Sequence, residues 1–160
     1  MVTIKDLKAI VILGFLTDDM IDKFLPITES LKFDEGEVVF REGENAERFY
    51  MVRRGKILLE QRISEKITIS MGTVKPGYAF GWSAMLGGTT YTSDAVCAER
   101  SEVFSVNGIE LTRLLDKDPS MGYRMTQRVL RIIKKRLEIR TEQFLRAIKD
   151  HPDIQHLVEK

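Results

Sequence analysis

The spacing of hydrophobic positions changes twice along the chain. Over residues 3–30, Leu7, Ile10 and Val11 fall on one helical face, and Thr17 is placed to cap a second short helix through Met20, Ile21 and Phe24. Pro26 then ends that helix or opens the next piece. Between residues 31 and 107 the apolar runs shorten to Val38–Phe40, Phe49–Val52, Lys56–Leu59, Ile67–Ile69 and Val103–Val106. Eight of the 11 glycines lie between Gly36 and Gly88 and separate these runs. The pairs Glu35-Gly36, Glu42-Gly43, Arg54-Gly55 and Pro76-Gly77 are turn dipeptides, in which glycine takes a positive φ without strain. Short strands divided in this way predict an antiparallel barrel or jelly roll. Helical spacing returns with a short helix over Ile109–Leu115, before Pro119, and a long one over Ser120–Lys149. On the long helix Leu130, Ile133, Leu137 and Phe144 form a coiled-coil-like seam, and Met125, Val129, Ile132 and Ile139 form a second row. One row would pack the helix on its own roll. Two rows predict a partner helix, and so a homodimer, although Arg136 and Arg140 interrupt the seam.

The fold class expected is α+β: an antiparallel β-roll (double-stranded β-helix or jelly roll) with N-terminal helices and a long C-terminal helix. The expected organisation is one domain over 1–160, with helices at 1–30, the roll at 31–107, a hinge and long helix at 108–150, and a tail at 151–160. No internal repeat, low-complexity segment or flexible linker interrupts it.

Composition narrows the chemistry. With 160 residues, 43% hydrophobic and 31% charged, the chain can bury one sizeable core. No apolar stretch approaches the ~20 residues a membrane helix needs. The run Ala9–Leu16 is short, is followed by Asp18 and Asp19, and lacks the features of a signal peptide, so no membrane insertion is expected. Cys97 is the single cysteine, which excludes a disulfide framework and makes a reducing, cytoplasmic setting the expectation. Both histidines, His151 and His156, fall in the tail, which argues against an imidazole metal site or a His-dependent nucleophile in the body. Cys97, within an apolar run, reads as a buried structural thiol. Gly87-Gly88-Thr89-Thr90 echoes a phosphate loop but lacks the lysine that should follow. No enzyme is expected. Residues 1–110 carry 13 Lys/Arg against 17 Asp/Glu, and residues 111–160 carry 12 against 7. That basic end meets an anionic partner or is simply a solvated helix face.

Three stretches carry a family resemblance: Phe33-Asp34-Glu35-Gly36-Glu37-Val38-Val39-Phe40-Arg41-Glu42-Gly43-Glu44, Phe49-Tyr50-Met51-Val52-Arg53-Arg54-Gly55-Lys56-Ile57, and Val74-Lys75-Pro76-Gly77-Tyr78-Ala79-Phe80-Gly81. Together, from about Leu7 to Gln143, the chain resembles the cyclic-nucleotide-binding domain of the catabolite activator and kinase regulatory subunits.

The resemblance implies a phosphate-binding cassette after Phe80-Gly81, where a short helix offers backbone N–H groups to a cyclic phosphate. A glutamate after the glycine would take the ribose hydroxyl, and an arginine about ten residues on would pair with the phosphate. In this sequence the glutamate position is Trp82, and the arginine position falls on Thr92, or on Tyr91 with a later gap. No lysine or arginine occurs from Phe80 to Glu99, and Asp94 adds a negative charge. Hydrogen bonds to charged groups contribute roughly 1.5–3 kcal/mol each, so losing both anchors removes about 3–6 kcal/mol, or two to four decades of affinity. The binding positions that remain are Phe80, Gly81, Trp82, Ser83, Ala84 and Met85 at the cassette, with the hydroxyls of Thr92 and Ser93. Trp82 either contacts a ligand or fills the vacated pocket. Within Arg136-Leu137-Glu138-Ile139-Arg140-Thr141-Glu142, Thr141 matches a purine-contacting hydroxyl of the catabolite activator, and Arg140 replaces its neighbour. Arg140 is a substitute anion anchor or a solvent-facing side chain.

The leading expectation is a small-molecule sensor, signalling through a hinge near Asp116–Pro119 and the C-terminal helix, with no certain cofactor and a cyclic nucleotide or another small metabolite as ligand. A ligand-free dimerisation or docking module is the alternative, and weak conventional cAMP or cGMP binding the third. The family's regulators read DNA through a helix-turn-helix domain of tens of residues. Too few residues follow Lys149 for one, so this chain alone is not expected to bind DNA sequence-specifically. It is either free-standing or part of a longer regulator.

Overall fold

A computed structural model of the chain describes residues 2–154. Its contacts divide into two units, with the boundary between Gly122 and Tyr123. In the first unit, α1 (Ile4–Lys8) starts at a capping box: the Asp6 amide donates to the Thr3 hydroxyl and the Thr3 amide to the Asp6 carboxylate. Thr17 caps α2 (Asp18–Asp22) by accepting from the Met20 amide at 3.3 Å. A 3-10 turn follows at Leu25–Ile27, with Pro26 inside it.

Eight strands follow: β1 (Thr28–Phe33), β2 (Val38–Phe40), β3 (Arg48–Arg54), β4 (Ile57–Ser64), β5 (Ile67–Val74), β6 (Ala79–Phe80), β7 (Asp94–Cys97) and β8 (Ser101–Asn107). They form two antiparallel sheets in the orders β1-β8-β3-β6 and β2-β7-β4-β5. This is the expected roll. All four turn dipeptides carry their glycine at positive φ, between +82° at Gly36 and +88° at Gly55. At Gly55 a side chain is excluded twice over, because a Cβ would also meet the Arg100 carbonyl at 2.7 Å.

β1 opens at Thr28, inside the segment whose pattern reads as helical. Thr28, Glu29 and Ser30 have no apolar alternation of their own. Pairing with β8, from Thr28 opposite Val106 to Phe33 opposite Ser101, makes them a strand.

Alternation along β3 sends Tyr50 and Val52 into the roll and Phe49 and Met51 to the other face, and all four are buried. The interior also holds Phe40, Ile57, Val74, Phe80, Tyr91, Ala95, Cys97 and Val103. Cys97 is thus a core thiol, and burial pushes its pKa up.

α3 (Gly108–Lys117) is capped by Asn107, whose side-chain oxygen accepts from the Ile109 amide at 2.9 Å and the Glu110 amide at 3.3 Å. α4 (Pro119–Lys149) begins with Pro119, where its fixed φ suits a first helical turn. Asp118 accepts from the Met121 amide at 3.1 Å and pairs with Lys23 at 2.5 Å, and these bonds, Lys23 foremost, hold its carboxyl below the usual range.

In the second unit the helix presents Leu130, Ile133, Leu137 and Phe144, each more than half exposed. Of the tail expected at 151–160, residues 155–160, with His156, lie outside the described residues. Among the described residues no helix is long and apolar enough to cross a membrane, and no cluster of three or more His, Cys, Asp or Glu could hold a metal ion.

Candidate functional site

The cassette grows out of β6, where Phe80 pairs with Tyr50 of β3. Gly81 then takes the left-handed conformation, φ +74°, and a Cβ there would meet the Arg48 carbonyl at 3.0 Å and the Tyr50 ring at 3.1 Å. Conformation and space both require glycine. A 3-10 helix, Trp82–Met85, follows, with the Ala84 amide donating to the Gly81 carbonyl at 3.1 Å and the Leu86 amide to Ser83 at 3.0 Å.

The fold distributes the expected binding residues of the first unit over three places, and Arg140 and Thr141 belong to the second unit. Phe80 and Gly81 belong to the interior, where Phe80 lies 5.2 Å from Tyr50 and 5.8 Å from Phe40 between ring centroids. Trp82 stands edge-on to Phe49 at 5.0 Å, and so on the face of β3 opposite the Tyr50 side. Ala84 is buried against the start of α3, with Ser83 and Met85 half-buried beside it. Thr92 and Ser93 lie next to β4, where the Gln61 side-chain amide donates to the Thr92 carbonyl at 2.8 Å. Arg140 and Thr141 are exposed on α4 in the second unit. The Thr141 hydroxyl donates to the Leu137 carbonyl within its own helix, at 2.9 Å.

Of Tyr91 and Thr92, the two positions expected for the arginine, Tyr91 turns its side chain into the interior. Its ring stacks on Phe40 at 3.7 Å, with 11° between planes. Its hydroxyl donates to the Arg48 carbonyl at 2.7 Å and accepts from the Arg48 amide at 3.1 Å. Burial raises its pKa, and desolvation does the same more strongly to Tyr50, so both phenols stay neutral. Tyr91 therefore fills space with a ring and ties two backbone groups, where a guanidinium would place a charge. The Phe40–Tyr50–Phe80–Tyr91 cluster was missing from the sequence reading. Its only signal there was aromatic residues at inward positions of separate strands.

Electrostatics around the cassette are spent internally. Asp94 accepts from the Glu42 amide at 2.7 Å and stands 3.9 Å from Arg41. Arg48 bonds the Ser105 hydroxyl at 2.6 Å and pairs with Glu29 at 2.7 Å.

The cassette also touches α3 directly. A Cβ at Gly108 would lie 2.2 Å from the Ala84 carbonyl oxygen, so the two backbones meet with no room for a side chain. The Gly108 amide donates to the Glu47 carbonyl at 2.8 Å, which fixes the same residue from a second direction.

Residues 30–118 match the cyclic nucleotide-binding domain family. Over 113 residues the chain is 27% identical to a potassium-channel-type protein of Rhodopseudomonas palustris, covering 70% of this chain and 27% of that protein. It is also 27% identical over 111 residues to a cGMP-dependent protein kinase of Caenorhabditis briggsae, covering 68% of this chain and 15% of the kinase. The chain therefore spans a minor part of both relatives. Among solved structures, a protein of Geobacter metallireducens described as cyclic nucleotide-binding superposes with a TM-score of 0.74 at 25% identity, over 86% of this chain and 99% of that one.

Proposed function

The chain belongs to the cyclic nucleotide-binding domain family, and from that premise we propose that it is a non-catalytic regulatory domain sensing a small molecule at an altered cassette. The change at the cassette passes through α3 to the hinge at Asp116–Pro119 and on to the long helix, whose apolar seam takes a second copy of the chain. The observation that carries this reading is the approach of Gly108 to Ala84. Because a Cβ would come within 2.2 Å of the Ala84 oxygen, the 3-10 helix cannot move towards α3 without displacing it. Packed backbones transmit such shifts as discrete rearrangements.

The altered cassette rests on Trp82 at the glutamate position, on Thr92 or Tyr91 at the arginine position, and on the absence of Lys or Arg from Phe80 to Glu99. The ligand is thus a cyclic nucleotide held weakly or another small metabolite. A second reading, a ligand-free docking module, draws on one observation, the Tyr91–Phe40 stack that occupies the interior.

Calorimetric titration with cAMP and cGMP, paired with hydrogen exchange over α3, separates the readings. Millimolar binding that slows exchange in Gly108–Lys117 is the expected result. Micromolar binding would overturn the altered cassette. Neither heat nor any change in exchange up to millimolar nucleotide would overturn cyclic-nucleotide sensing and leave another small metabolite or the docking module.

A further inference from the structure

The glycine pair after the 3-10 helix lacks a following lysine in sequence, but the fold brings it a cation from elsewhere. Gly87, Gly88 and Thr89 line a cavity of about 680 Å³ together with Glu47, from the loop before β3, and Arg113 of α3. Its walls are joined to one another by hydrogen bonds. The Ala46 amide donates to the Thr89 carbonyl at 2.9 Å, the Gly108 amide to Glu47 at 2.8 Å, and the Thr89 hydroxyl to the Ser83 carbonyl at 2.9 Å. A cavity built this way is present before any ligand arrives, which lowers the entropy lost on binding.

The loop itself has the geometry of an anion cradle. Leu86 is right-handed, φ −96° and ψ −13°, and Gly87 is left-handed, φ +64°. Successive residues of opposite hand turn consecutive N–H groups towards one side and make a concavity for negative charge. Among the described residues, the amides of Gly87 and Gly88 have no protein acceptor, and the side chains of Arg113 and Glu47 have no ion-pair partner. One cavity is thus lined by two residues with amides free of a protein acceptor, by an arginine and a glutamate without ion-pair partners, and by Ala84.

We propose that this cavity binds a small phosphate monoester that carries hydroxyl groups. The phosphate takes the Gly87 and Gly88 amides and the Arg113 guanidinium, whose fork matches phosphate oxygens. A ligand hydroxyl donates to Glu47. The aromatic interior of the roll is not involved, so this site stands or falls independently of the cyclic-nucleotide titration.

The test follows the Gly87 and Gly88 amide resonances of the full chain while inorganic phosphate or glycerol phosphate is added. Saturating shifts are expected with both, tighter for glycerol phosphate. Arg113→Gln, at an exposed position, should weaken both by about fivefold, the upper range for one exposed charge pair. Glu47→Gln should tighten inorganic phosphate by removing a like charge, and should abolish the preference for glycerol phosphate. Shifts that never saturate, or affinities unmoved by both substitutions, would overturn the proposal.

Discussion

The interior of the roll and the seam of the long helix are built from the same residue types at regular spacing, yet they meet opposite fates. Phe40, Val52, Phe80 and Val103 are at most 5% exposed, whereas Leu130, Ile133, Leu137 and Phe144 are 51–65% exposed. Two sheets facing one another supply each inward row with a second row across the core. A single helix has no such counterpart within its own unit. The β4–β5 hairpin repeats the contrast within one element: Ile57 and Val74, paired at its base, are buried, and Ile63 and Ile67, near its tip, are 64% and 52% exposed. Periodicity therefore says which face seeks cover, and the partner decides whether it finds it.

The sharpest way to break that comparison is truncation on each side. Phe40→Ala removes the ring that stacks on Tyr91, and should cost about 3–5 kcal/mol in urea denaturation. Leu137→Ala at low protein concentration should stay within about 0.5 kcal/mol. A loss at Leu137 that grows with protein concentration would show a second copy covering the seam, and equal losses at the two sites would erase the distinction.

A smaller effect separates two kinds of glycine inside the first unit. Gly108→Ala forces a Cβ onto the Ala84 backbone, and should cost about 1–3 kcal/mol by overpacking. Gly36→Ala meets open space and carries only the strain of φ +82°, roughly 1–2 kcal/mol. The thermal midpoints of the two variants rank close packing against backbone strain. Gly108→Ala alone should alter hydrogen exchange in the 3-10 helix.

The smallest effect is electrostatic. Arg53 bridges Asp6 at 2.9 Å and Glu102 at 2.8 Å. Burial works to raise the Glu102 carboxyl, but the Arg53 and Ser30 hydrogen bonds, with the Arg53 and Lys32 charges, outweigh it and hold the carboxyl below its ordinary value. For Asp6 the Thr3 hydroxyl is the largest influence and acts in the same direction. A carboxyl lowered in the folded state adds stability above its unfolded pKa, about 4, and loses it as pH falls through the folded value. Stability should therefore drop on acidification below about pH 5, and Glu102→Gln should flatten that limb. Glu138→Gln, which removes the exposed Lys134–Glu138 pair on α4, should leave it unchanged.

Much of the fold was legible because its signals are local. Thr17 acts as a cap within three residues, and Gly36, Gly43, Gly55 and Gly77 serve turns that depend on their own φ. Strands without a local signal were harder to see. The first half of β1, Thr28–Ser30, lacks apolar alternation, and β6 has two residues, so each is defined by the strand it pairs with. Phe80–Met85, Thr92 and Ser93 were read as one cassette, and spatially they fall in three places. Whether Trp82 points to the Phe49 side or the Tyr50 side of β3 depends on the backbone at Gly81, and no residue type announces that. Tyr91 was visible as a position, but its stacking partner Phe40 lies 51 residues away.

The sequence by itself determined the order of helices, roll and long helix, the turns, and the absence of lysine and arginine from Phe80 to Glu99, since these follow from residue identity and short-range backbone preference. Only the tertiary structure decided that Tyr91 closes the interior, that Ala84 rests against Gly108, and that Arg113 lines one cavity with Gly87 and Gly88. Each of those pairs residues distant along the chain. Such contacts are set by how two twisted sheets and their connections pack, a collective minimum that no single stretch of sequence encodes.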